Sequence, residues 1–181
     1  MHTVYVEVIA LASTMGALIS NDLVILIGGL STMRLARILE LNQESFIAIG
    51  SDGTAITRNE MANQTGLMLP RQLEKFLFGD YLRKVADLLD NLSFIHPINE
   101  FKILPPIQEV YKIICLAFNY TDQSNWVRFG RNPPSEPVIY LKPRTCLIGP
   151  TDDILCPRFV KQLDYEGELA LVIGKKCRDV E

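Results

Sequence analysis

Histidine is scarce in this sequence: His2 and His96 are the only imidazoles among 181 residues. General-base chemistry near neutral pH favours an imidazole, so the shortage narrows the catalysts the chain can build. Cysteine is sparse too. Cys115, Cys146, Cys156 and Cys177 are scattered, with no Cys-x-x-Cys pair. That excludes the usual spacing of a zinc cluster and falls short of a disulfide scaffold, so a reducing cytoplasm is the expected setting. No basic run exists and the net charge is −3, so nucleic acid is not an expected partner. Residues 1–32 contain no Lys or Arg, whereas a signal peptide opens with positive charge. Glu7 and Asn21-Asp22 also break up the apolar runs there, short of the roughly 20 residues a membrane span requires. No membrane partner is expected.

What remains is an ordinary globular balance, 48% hydrophobic and 22% charged, in a chain long enough for one sizeable core. Residues 1–32 read either as an apolar extension upstream of a domain that opens at Met33, or as a pair of extra strands or a short helix. From Met33, "RLARILEL" and "SFIAIG" read as strands joined by "NQE", with "SDG" as the following turn. Residues 70–92 place Leu73, Phe76, Leu77, Tyr81, Val85, Leu88, Leu89 and Leu92 near a 3.6-residue period, a helix that Gly79 weakens or splits. "LPPIQ" at 104–108 reads as a stiff linker. Strands are expected at 111–118 and 138–142, a Gly-Pro turn at 149–150 and a long strand at 163–173. The expected organisation is an extension (1–32), a small N-terminal α/β domain (33–105) and a further domain from 106 to 181.

The stretch "LDYEGELALVIGKK" (163–176) carries the chemistry. On a strand, Asp164, Glu166 and Glu168 share one face, neighbours about 7 Å apart. Two carboxylates at that spacing repel by about 2 kcal/mol at an effective dielectric of about 20. A divalent cation reverses the sign, because hard ions such as Mg²⁺ take carboxylate oxygens and leave positions open for an oxygen-rich substrate. A solvated face of an edge strand is the plainer alternative.

Three blocks in order, "KIICLAFNYTD", "EPVIYLKPRTCLIGP" and "DYEGELALVIGKKCRDV", resemble the fumarylacetoacetate hydrolase family over residues 104–181. The resemblance implies an α+β, mainly β fold: a mixed β-roll, here incomplete, behind the small N-terminal domain, and a homodimer when complete. It implies Mg²⁺ or Mn²⁺ held by Glu166, Glu168 and a later aspartate. It implies a 2-oxo or 1,3-dioxo acid substrate, whose C–C or C–O bond is cleaved through a metal-stabilised enolate by hydrolase or lyase chemistry. Asp122, in "NYTD", corresponds to a segment that supplies a further ligand in fumarylacetoacetase; an acid suiting the first turn of a helix is its other reading. Asp164 and Lys142 are the substrate-side candidates, Lys142 otherwise reaching solvent from a strand end.

The chain departs from that family at two points. Many members follow Asn-Tyr with His and Glu that activate water, and the corresponding residues here are Gln123 and Trp126. Hydrolysis by that dyad is therefore not expected, whereas lyase or isomerase chemistry is less affected. The chain also stops at Glu181, ahead of the family's third metal carboxylate and active-site lysine. It reads as the front part of a larger enzyme, or as an inactive remnant serving assembly or regulation.

Overall fold

The protein is described by a computed structural model over residues 9–10, 23–27, 31–119, 134–163, 168, 170–173, 176 and 178. The fold is mixed α/β with mainly strands, which the chain forms in antiparallel succession. Strands β1 (Ile9–Ala10), β2 (Leu23–Ile27), β3 (Ser31–Glu40), β4 (Gln43–Ile49) and β5 (Thr54–Thr57) pair each with the next. The β2–β3 register runs through Met33, which pairs with Ile25. Helices α1 (Arg58–Thr65), α2 (Leu73–Phe78) and α3 (Tyr81–Ala86) follow. The chain then returns to the sheet: β6 (His96–Pro97) pairs with β5, and β7 (Lys102–Ile103) pairs with β3.

Side-chain alternation along these strands fills two cores. On one face, Leu35, Phe46, Ala48 and Ile56 meet Met61, Leu73, Phe76, Leu77, Leu82 and Val85 from the helices. The Phe46 and Phe76 rings tilt against each other at 4.8 Å between centroids. On the other, Ala36, Ile38, Ile47, Ile49 and Ala55 are covered by Ile98, Phe101 and Ile103 of the returning chain. A strand buried on both faces reads as an unbroken apolar run, which is why β4 contains "FIAI".

The β3–β4 loop is tighter than the sequence suggests. Glu40 pairs with Gln43, so the loop is Leu41–Asn42, both at positive φ (48° and 60°). Two successive positive φ values make the type I′ turn that matches strand twist; Gln43 and Glu44, expected in the loop, belong to β4. The helical stretch 70–92 divides at Gly79, where a Cβ would lie 2.8 Å from the Lys75 carbonyl oxygen. The linker is held down: Leu104 N–H donates to the Arg37 carbonyl at 2.8 Å, and Gln108 N–H to Glu74 Oε1 at 2.8 Å.

By their contacts the residues group into two compact units, one of Met1–Gln108 with Leu147–Glu181, the other Glu109–Cys146. The second contains a two-stranded antiparallel ribbon, β8 (Ile113–Ala117) and β9 (Val138–Lys142).

The long strand expected over 163–173 is absent from the part of that stretch that is described. Leu163, Glu168 and Ala170 to Ile173, the residues of it that are described, lie in no strand. A strand exists only where a neighbour fills its N–H and C=O groups, and no described segment pairs with this one. A run of β-formers does not supply that neighbour.

Candidate active-site segment

Isoleucine, cysteine and leucine form β8 because alternate side chains are sheltered: Cys115 is 7% exposed, with Ile113 and Ala117 half-buried beside it. The register pairs Ile113 with Lys142, Cys115 with Tyr140 and Ala117 with Val138, so Lys142 lies on the sheltered face. It also lies at the far end of the ribbon from Asn119. Four strand steps separate the two ends, roughly 13 Å. Lys142 is half-buried, and its end of the ribbon also carries Glu109, Tyr111 and Arg144. The Tyr111 hydroxyl donates to Glu109 Oε2 at 3.1 Å. That hydrogen bond and the Glu109 charge raise the phenol above its ordinary pKa, against the opposing pull of Arg144.

At the other end, Phe118 has φ +57°. A bulky residue in the left-handed region is strained by about 1–3 kcal/mol, and such strain gathers at functional sites. Phe118 is the residue immediately before Asn119-Tyr120. Nothing in the composition of the segment signals this conformation.

In the other unit, the Ile-Gly-Pro turn is tight. Gly149 N–H donates to Asp152 Oδ2 at 2.7 Å, and a Cβ on Gly149 would lie 3.1 Å from that oxygen and 3.3 Å from the Ile103 carbonyl oxygen. Further on, Glu168 is half-buried and Val172 packs on the helical core. Asp122, Gln123, Trp126, Asp164 and Glu166 lie outside the described residues. Glu168 is thus the one expected metal ligand that is described. Among the described residues no three of His, Cys, Asp and Glu converge as a metal site.

One ionic cluster went unread in the sequence. His96 Nε2 lies 2.7 Å from Glu60 Oε1, and Glu60 Oε2 accepts from the Thr57 N–H at 3.0 Å and the Thr57 hydroxyl at 2.7 Å. The signal that marks its helix end is Thr-x-x-Glu, the capping box, present as Thr57 to Glu60.

A family model described as "Fumarylacetoacetate (FAA) hydrolase C-terminal" matches residues 112–181, from β8 through the Glu166-x-Glu168 stretch. Through this segment the chain is similar to the fumarylacetoacetate hydrolase family. Among curated proteins, the chain is 42% identical over 84 residues to Protein Rv2993c of Mycobacterium tuberculosis, covering 46% of the chain and 31% of that protein. It is 34% identical over 115 residues to the mitochondrial oxaloacetate tautomerase fahd2 of Xenopus laevis, 62% of the chain and 35% of that protein. The mitochondrial oxaloacetate tautomerase Fahd2a of Rattus norvegicus is 36% identical over 118 residues, 62% of the chain and 36% of that protein. The chain spans about a third of the length of the curated relatives it matches. No solved structure matches it. No helix among the described residues is long and apolar enough to cross a membrane.

Proposed function

We propose that this chain serves a divalent-metal-dependent enzyme acting on 2-oxo or 1,3-dioxo acids, built as a β-roll and working as a homodimer, and carries metal-binding residues of its catalytic domain. The observation that carries the reading is the family match over residues 112–181, which includes the Glu166-x-Glu168 pair. Glu166 and Glu168, with Asp122, would hold Mg²⁺ or Mn²⁺. When bound, that ion supplies positive charge beside the adjacent oxygens of the acid, where negative charge develops. Asp164 and Lys142 are assigned to the substrate side. Gln123 and Trp126 stand where many members carry a water-activating His and Glu, and neither can take a proton from water near neutral pH. Chemistry that needs no activated water fits this residue set best: keto–enol conversion or C–C cleavage without hydrolysis. Two relatives bear the name oxaloacetate tautomerase, so a dicarboxylic 2-oxo acid is the first substrate to try.

The test is turnover by the intact chain with Mn²⁺ or Mg²⁺. Enolic oxaloacetate is followed as it ketonises, and acylpyruvates and 2-keto-3-deoxy acids are followed for cleavage. Ketonisation lost in Glu166→Gln and Glu168→Gln, with acylpyruvates left intact, is the expected outcome. A folded chain that binds no metal and turns over none of these acids would overturn the proposal. The loss of both water-activating residues would then favour the second reading, a non-catalytic family remnant that serves assembly.

A further inference from the structure

The chain that leaves the helices returns to the sheet as β6, at the end of the strand order. Its backbone grip there is short. Ile95 N–H donates to the Ala55 carbonyl at 3.1 Å, and β6 adds only the pairs Thr54–Pro97 and Ala55–His96. A two-residue strand at a sheet edge is weakly held by its ladder alone. Side chains supply the rest.

The His96 ring lies between two carboxylates on opposite sides. Nε2 faces Glu60 Oε1 at 2.7 Å, and Nδ1 faces Glu100 Oε2 at 3.8 Å. Phe101 meets the ring edge-on at 5.9 Å between centroids. Because the carboxylates face different ring nitrogens, they cannot share one metal ion with it. They can share one imidazolium, hydrogen-bonded to Glu60 through Nε2 and within ion-pair distance of Glu100 through Nδ1. Glu60 comes from α1 and Glu100 from the turn Ile98–Glu100. The neighbouring strand β5 reads Thr-Ala-Ile-Thr and brings no ionisable group. Arg58 of α1 donates from Nη1 to the Leu69 carbonyl at 3.0 Å.

We propose that Glu60, His96 and Glu100 form a proton-dependent clasp that holds residues 95–100 on the β5 edge of the sheet. Protonated, His96 binds α1 through Glu60 and its own turn through Glu100 at once. Neutral, it keeps at most one donor and loses attraction to both acids. The Glu60 hydrogen bond raises the imidazole pKa, burial lowers it, and the charges of Glu60 and Glu100 raise it again, with a net shift upward from 6.5. Burial pushes the Glu60 carboxyl up, but hydrogen bonds from His96 and Thr57 outweigh it, with a net shift downward from 4.5. A raised histidine contributes stability that is complete below its unfolded pKa and is lost as pH rises through the folded value. A lowered glutamate contributes stability that is lost as pH falls through its folded value. The clasp is therefore closed from below pH 4.5 to above pH 6.5 and opens on the alkaline side.

The experiment uses the intact chain and amide hydrogen exchange at Ile95, corrected for intrinsic rates, at about pH 6 and about pH 8.5, on either side of a raised imidazole. Protection should fall several-fold at the higher pH. His96→Asn should show low protection at both pH values, and Glu100→Gln should move the His96 titration midpoint down. Equal protection of the parent at both pH values, or a pH dependence that survives in His96→Asn, overturns the clasp. Should His96→Asn fail to fold, NMR titration of the parent decides. With only two histidines to assign, a His96 midpoint above 6.5 supports the clasp and one below it overturns it.

Discussion

Arg37 offers the sharpest test of how the N-terminal sheet is held to its linker. It sits in the middle of β3 and is 4% exposed. Nη1 donates to the Pro105 carbonyl at 2.5 Å and Nη2 to Glu44 Oε2 at 2.7 Å. Replacing it by methionine keeps the stem and the burial but deletes both bonds. Hydrogen bonds to a charged group contribute about 1.5–3 kcal/mol each. The Glu44 bond belongs at the bottom of that range or below, because the Glu44 side chain is 36% exposed and water takes over there. The half-buried Pro105 carbonyl loses a partner that water replaces less well. Arg37→Met should therefore destabilise by about 3 kcal/mol, shifting a urea midpoint by roughly 1–3 M. The Leu104 amide, bonded to the Arg37 carbonyl at 2.8 Å, should exchange faster. Glu44→Gln alone should cost about 1 kcal/mol or less, and the double variant should fall short of the sum of the two. A loss below about 1 kcal/mol for Arg37→Met would refute the reasoning, since a buried guanidinium would then contribute little beyond its stem.

Leu41→Asn should stabilise by about 1 kcal/mol in chemical denaturation, because Leu41 is 94% exposed and sits at φ 48°, which asparagine tolerates. Phe76→Ala should cost about 3–5 kcal/mol by the same measurement, through lost burial and the cavity left against Phe46. Gly149→Ala should lower the melting temperature and cost about 1–2 kcal/mol, because its Cβ meets Asp152 and the Ile103 carbonyl together. If Glu166 and Glu168 hold a metal, Mn²⁺ at about 100 times its Kd should add about 2.7 kcal/mol of stability in calorimetry, and Glu168→Gln should abolish the rise.

Strands β3, β4, β8 and β9 were legible because their apolar runs are bounded by turn residues, and the break at Gly79 was legible because glycine weakens a helix. Helix α1 was not. Its eight residues RNEMANQT bury Met61 and show no apolar stripe, so periodicity is silent, and its marks are the Thr57–Glu60 box and Gly66 at φ 71°. Strands β6 and β7 are two residues each, defined by partners roughly 40 to 65 positions away in sequence. Arg37 read as an ordinary strand residue because its acceptor, Pro105, is remote in the chain. For the candidate site, motif order identified the segment, but register put Lys142 at the opposite end of the ribbon from Asn119. Pairing geometry, not closeness in sequence, decides which ends meet.

The β8–β9 ribbon has a consequence for handling the protein. Ile114, Leu116, Ile139 and Leu141 project together from its other face and are 60%, 41%, 62% and 69% exposed. "IICLAF" is six residues of β-forming, uncharged, proline-free chain, the kind of segment that stacks into cross-β zippers. Two-stranded ribbons are marginal by themselves, so partial unfolding would release this stretch with its backbone unpaired. Concentration, shaking and warmth should then together set the shelf life of the protein. A lysine at Ile114 would interrupt the zipper, and with the native side chain already 60% exposed it would sacrifice little folded stability.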